Sequence, residues 1–350
     1  MVYYNVGGDR FGAILDTGSP FLVVPNYCQP RKYGCYQASS SQPSGLATTT
    51  ERFDNNQGQV EWRMAPFSFV DAYQDNNNSR HDSSTSTTIS SSSTSSISSS
   101  VIGPSQRMIF GVLSESLMDG SGGVFFGLIR DTESWIRPSF LGQTNVKAMT
   151  IDLRGNDDDR SQQDSINGKS LTLYTRASTR PSRMIEPNST YISLTRDLNR
   201  KYGDPVIHYT AKASSFTVNG NSVLKPNDHK PMYVIFDTGV TGMVVSQELF
   251  DQRYTDARLR KEKSLWGNVV VTFLVERNLE DRSSEGGNDG RSHNMEGQTI
   301  SLVAQKPVTT PLGMKPWPKF KNAHLIVLGL AFLDGRRIEI DMDGNRLQLL

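Results

Sequence analysis

"AILDTGSPFLVVP", residues 13–25, sets one carboxylate, Asp16, between two apolar runs. Burying an ionised carboxylate is costly unless something pairs with it or shares its charge. The arrangement recurs at residues 234–246, "VIFDTGVTGMVVS", and the two stretches align without gaps. Ile14 matches Ile235, Leu15 matches Phe236, and Leu22-Val23-Val24 match Met243-Val244-Val245. A second echo follows each copy. "VFFGLI" carries Gly127 after apolar residues, and "IVLGLA" carries Gly329 in the same way. The shared order predicts two related halves.

A lone Asp-Thr-Gly reads as a tight turn. Turns, however, are bordered by polar residues, and both copies here are flanked by apolar runs. Two such loops facing each other solve the burial problem. Carboxylates about 3 Å apart cannot easily both ionise, so they share a proton and titrate as a unit. One then takes a proton from a trapped water while the other donates to a carbonyl, which is general acid–base hydrolysis. Glycine after the threonine permits close backbone approach.

The remaining sequence sets bounds. The 350 residues exceed one ordinary core and suit two lobes. We divide them at 1–185 and 186–350, one Asp-Thr-Gly in each part. Net charge is +1 without a basic block, so nothing points to nucleic acid. The longest apolar run, "LIVLGLAFL" (325–333), is too short to span a bilayer. His81, His208, His229, His293 and His324 are scattered without ligand spacing, so no metal or other cofactor is expected. No G-x-S-x-G occurs, and "DGSGG" (119–123) lacks the ending of a phosphate loop. Cys28 and Cys35 are either two free thiols or a small disulfide loop of an oxidising compartment, the latter being the expectation. No leader-like segment precedes Asp16, while sequons at Asn77 and Asn188 are compatible with a secretory route. The compartment stays open, with a secretory or endomembrane lumen favoured.

Short β-like runs dominate, among them "FGAILD", "EWRMAPFSFV", "RMIFGVL", "SLTLYT", "MYVIFD" and "NVVVTFLV". The best helical stretch is 246–262, with Ser246 as its N-cap. The Ser/Thr tract inside 75–101 is too polar to order itself and reads as a disordered insertion.

The doubled motif in this order resembles the pepsin-like aspartic proteases. The resemblance rests on Asp16-Thr17-Gly18-Ser19, the cysteine pair, Phe125-Phe126-Gly127, Asp237-Thr238-Gly239, Val327-Leu328-Gly329 and the ending "LGLAFLDGRRIEIDMDGNRLQLL". It implies a mainly β, bilobal fold: two related β lobes, an interlobe cleft and a few short helices. It implies an aspartic-type endopeptidase that acts as a monomer on peptide or protein, with Asp16 and Asp237 as the catalytic dyad. Thr17 and Thr238 would lock the two loops together, and Ser19 would support the outer oxygen of Asp16. Cys28 and Cys35 lie where the family often has its first disulfide. A retroviral-type protease has one such lobe and needs a homodimer, whereas this chain carries both motifs.

Three positions depart from the family. Val240 stands where a Thr or Ser is usual, which removes a hydroxyl donor from Asp237 and predicts a raised pKa. Val23 stands where a Trp is expected. In the flap hairpin, sought at 52–64, Phe53 takes a Tyr-like place and Trp62 is the alternative. These departures leave a second reading, an inactive protein of the same fold that binds peptides or proteins.

Overall fold

Alternation of apolar and polar residues makes most of this chain extended. "SLTLYT" shows it plainly: the strand Ser170–Thr175 buries every second residue. The strand Asn268–Leu274 does the same. The run Met232–Phe236 differs, being buried at all five positions, as expected of a strand covered on both faces. The computed structural model describes residues 1–26, 33–53, 56–70, 88–89, 106–113, 124–133, 136–154, 169–175, 190–253, 266–277, 297–312, 320 and 322–350. These residues are mainly β with short helices. None of the described helices is long and apolar enough to cross a membrane.

Two eight-stranded sheets repeat one design. In the first, the strand Asp9–Asp16 runs parallel to Phe125–Gly127, with Asp16 opposite Gly127. In the second, Met232–Phe236 runs parallel to His324–Leu328, with Phe236 opposite Leu328. The short strand after each Asp-Thr-Gly also takes a parallel neighbour. Val23–Pro25 lies along Arg107–Leu113, and Met243–Val245 lies along Thr309–Pro311. The internal repeat of the sequence is therefore a repeat of strand pairing. A third, seven-stranded sheet takes strands from both sides of residue 185, including Val146–Asp152, Ser170–Thr175, Arg337–Asp341 and Arg346–Leu349. Within the stretch read as a disordered insertion, residues 88–89 pair in parallel with Ser170 and Leu171; its remainder lies outside the described residues.

Each half is filled by aromatic and branched side chains. Phe126 packs against Tyr4, Phe67, Phe69 and Phe140, and Phe216 stacks on Trp266. The Tyr4 hydroxyl donates to the Val23 carbonyl at 3.0 Å, so the largest polar group of this core is satisfied. Leu22, Val23, Val24, Met243 and Val245 are buried, so the second apolar run of each repeat is core.

Two expectations need correction. The helix beginning at residue 247 spans Gln247–Arg253, and residues 254–262 lie outside the described set. Ser246 does precede it, but its buried hydroxyl makes no hydrogen bond and so does not cap it. Phe250 N–H instead donates to the Ser246 carbonyl, so the backbone begins the helix. Trp62 is a core residue rather than a flap tip: it is buried, and its indole donates to Thr49 Oγ1 at 3.0 Å.

The glycines that close the two loops admit no side chain. A Cβ on Gly127 would collide with the backbone at Ser19, Pro20 and Phe21. One on Gly329 would collide with the carbonyls of Val240 and Gly242. Neither neighbour is a flexible side chain end, so the loops themselves would have to move. Gly127→Ala and Gly329→Ala are each expected to destabilise the fold by at least about 2 kcal/mol in chemical denaturation. Gly45→Ala, at a position with open space but positive φ, should cost only about 1 kcal/mol.

Candidate active site

The first apolar strand ends at Asp16, and the chain turns back through Thr17 and Gly18. Two bonds to the glycine strand hold this turn: Leu128 N–H to the Asp16 carbonyl and Gly127 N–H to the Phe21 carbonyl, both 2.7 Å. The second copy is held in the same manner. Asp237 N–H donates to Leu328, Gly329 N–H to Gly242, and Leu330 N–H to Val240. Two separate loops are thus tied to two separate glycine strands.

The two loops then grip each other. Thr17 Oγ1 accepts from Thr238 N–H at 2.9 Å and donates to the Phe236 carbonyl at 2.8 Å. Thr238 Oγ1 accepts from Thr17 N–H at 3.2 Å and donates to the Leu15 carbonyl at 2.7 Å. Both threonines are buried. Each hydroxyl is donor and acceptor at once, and every bond spans more than two hundred residues of chain. The exchange is as reciprocal as a twofold axis demands.

It brings the carboxyls together. Gly18 N–H donates to Asp16 Oδ1 and Gly239 N–H to Asp237 Oδ1, each at 2.8 Å. A Cβ on Gly18 would strike the Asp237 carboxyl, and one on Gly239 would strike that of Asp16. Each glycine therefore borders the opposite acid. Asp237 is pushed well above the ordinary carboxylate range, first by burial, then by the charge of Asp16 and a hydrogen bond with it. The backbone amides of Gly239 and Val240 pull the other way without prevailing. The two carboxyls therefore titrate as one unit, and burial beside the other acid holds a proton on the pair above the ordinary carboxylate range.

Other sequence-derived candidates fare unevenly. Ser19 does not support Asp16: its buried hydroxyl makes no hydrogen bond. Its own carbonyl accepts from Ile129 N–H at 3.3 Å. The contrast expected between Ser19 and Val240 is accordingly absent, since neither acid takes a hydroxyl from the residue after its glycine. The hairpin sought at 52–64 is present as Thr49–Phe53 paired with Asn56–Phe69, with Phe53 opposite Asn56. The Phe53 side chain lies outside the described residues, as does Cys28 and with it the Cys28–Cys35 pairing.

Two further clusters were invisible in the sequence. Asp228, Glu248 and His324 gather their ligand atoms within 4.8 Å of one another. His324 Nε2 already bonds Asp228 at 2.8 Å, and Lys230 Nζ holds both oxygens of Glu248 at 2.6 Å. The local cation is therefore the lysine. Elsewhere the buried Asp204 and the partly buried His208 lie side by side at 3.3 Å. Burial, and then the charge of Asp131, raises Asp204 to about 7; burial alone lowers His208 to about 4.

No protein-family model matches the chain, and no curated protein matches it either.

Thr238→Val keeps the shape and removes the hydroxyl, stranding Thr17 N–H and the Leu15 carbonyl. At about 1–3 kcal/mol for each stranded group, the denaturation midpoint should fall far more than for Thr238→Ser. For Asp204, the folded state holds its proton more tightly than the unfolded state. Its contribution to stability is full below about 4 and is lost as pH rises toward about 7. His208 works oppositely, losing stability as pH falls from about 6.5 toward about 4. Between about pH 4 and 6.5 the two effects oppose each other, so Asp204→Asn should make the melting temperature fall more steeply as pH drops through that range.

Proposed function

We propose that this chain is a two-lobed aspartic endopeptidase of the pepsin-like kind, with the cleft between its lobes and a dyad of Asp16 and Asp237. The observation that carries the reading is the reciprocal threonine exchange, which holds two carboxyls against each other at the ends of two parallel strand pairs. A pair so held is a proton-sharing pair.

The pair shares one proton, and we place that proton on Asp237, which burial and the neighbouring acid push upward. In this reading Asp237 serves as the acid and Asp16 as the base. A water between them gives its proton to Asp16 as its oxygen attacks the peptide carbonyl carbon. Asp237 delivers its proton to the carbonyl oxygen, and a neutral tetrahedral diol results. Collapse of the diol returns a proton to Asp237 and sends the proton on Asp16 to the leaving nitrogen. The C–N bond breaks and the starting dyad is restored. No covalent intermediate forms, and one chain supplies both acids, so a monomer suffices. We also assign Cys28 and Cys35 to a disulfide, which thiol labelling before and after reduction tests; free thiols before reduction would refute it.

Cleavage of a mixed peptide library, read by mass spectrometry, should follow a bell-shaped pH profile on the acid side of neutrality. Asp16→Asn should reduce it by at least about a thousandfold without unfolding the chain. Binding of peptides without cleavage in wild-type protein at every pH would instead favour the inactive peptide-binding reading. Val240→Thr adds a hydroxyl donor beside Asp237. That donor favours the ionised form, so the alkaline limb should move to lower pH. An unmoved limb would show that position 240 does not tune the dyad.

A further inference from the structure

Several described arginines form no ion pair with a described carboxylate, and two of them, Arg130 and Arg196, border one pocket. An open pocket of about 60 Å³ is lined by Arg130, Arg196, Thr195, His208 and Asn345 on its polar side. Leu194, Ile207, Tyr209 and Met342 complete it. Among the described residues, Arg130 makes one side-chain bond, from Nη2 to the Val146 carbonyl at 2.9 Å, and its buried Nε makes none. Arg196 makes one, from Nε to Asn345 Oδ1 at 3.2 Å. Neither forms an ion pair with a described residue. Beyond these two bonds the N–H groups at both guanidinium ends meet no described acceptor, so a ligand acceptor in the pocket has donors to meet.

We propose that this pocket is a binding site for a small organic carboxylate. Two planar guanidinium forks suit a carboxylate, which accepts paired N–H bonds. The aliphatic walls from Leu194, Ile207 and Met342 suit a short apolar chain behind it and disfavour a bare inorganic oxyanion. His208 lies against Asp204 and contributes hydrogen-bonding surface rather than charge. Arg130 comes from the strand segment just after Gly127, Arg196 from before the helix Asp197–Tyr202, and Asn345 from the turn before the last strand. The pocket also touches the dyad's supports through Tyr209. Its hydroxyl donates to the Leu128 carbonyl at 2.6 Å, and Leu128 N–H holds the Asp16 carbonyl. Its own carbonyl accepts from Phe236 N–H, next to Asp237. The site does not depend on the peptidase reading, and Asp16→Asn protein should bind equally well.

Calorimetric titration of the full chain with sodium propionate, in chloride buffer of matched ionic strength near neutral pH, tests the proposal. Saturable binding of one propionate per chain is expected, with none for propionamide, its neutral counterpart. Arg196→Gln should weaken binding at least about tenfold. Arg200→Gln, on the neighbouring helix but outside the pocket, should not change it. Methyl-labelled methionine NMR of wild-type protein gives a readout that needs no stable pocket variant, with the Met342 signal assigned from Met342→Leu. That signal should shift with propionate and saturate at the same concentration. Equal binding of propionamide, preference for sulfate, an unmoved Met342 signal, or unchanged affinity in folded Arg196→Gln protein would each overturn the proposal.

Discussion

Four hydrogen bonds between two threonines and the backbone of the opposite loop are what everything at this site rests on. Without them, two apolar strands would each end in a carboxyl with no reason to approach the other. Like charges resist that approach, and burial makes the resistance stronger. The threonines overcome it by satisfying backbone groups that have no other partner at that place. Because each hydroxyl both donates and accepts, neither loop can shift without leaving buried polar atoms unmatched on both sides.

The glycines follow from that constraint. Gly127 and Gly329 let the loops fold flat onto the neighbouring strands, and Gly18 and Gly239 let each acid reach across to the other loop. The parallel pairing of Asp9–Asp16 with Phe125–Gly127, and of Met232–Phe236 with His324–Leu328, sets both acids at equivalent strand ends. Largely buried strands on either side then hold the carboxyls in a geometry that water alone would not maintain. The raised pKa of Asp237 is the electrostatic consequence of this packing.

Charge is handled differently elsewhere in the molecule. Arg137 reaches Asp131 at 3.1 Å and Glu51 at 3.4 Å, so one cation serves two buried acids. Asp204 has a neutral imidazole beside it instead, and its pKa rises. Arg130 and Arg196 carry the reverse imbalance, cations without described acids. Such uneven compensation is where a protein's response to pH and to small ions originates.

The doubled Asp-Thr-Gly, the later apolar-apolar-Gly and most strands were legible in the sequence by itself. They are local patterns, repeated at a fixed order, and alternation is read within a few residues. That Asp16 and Asp237 form a pair was legible only by resemblance and by the argument that a buried carboxyl needs a partner. The tertiary structure decided what no local pattern encodes. Ser19 and Ser246 look like supporting hydroxyls, yet their carbonyls accept backbone bonds while their hydroxyls meet no described partner. Trp62 looks like a flap residue and belongs to the core. The pocket of Arg130, Arg196, His208 and Asn345 draws on residues 130, 194–209 and 342–345, so its chemistry exists only once segments from both halves of the chain have met.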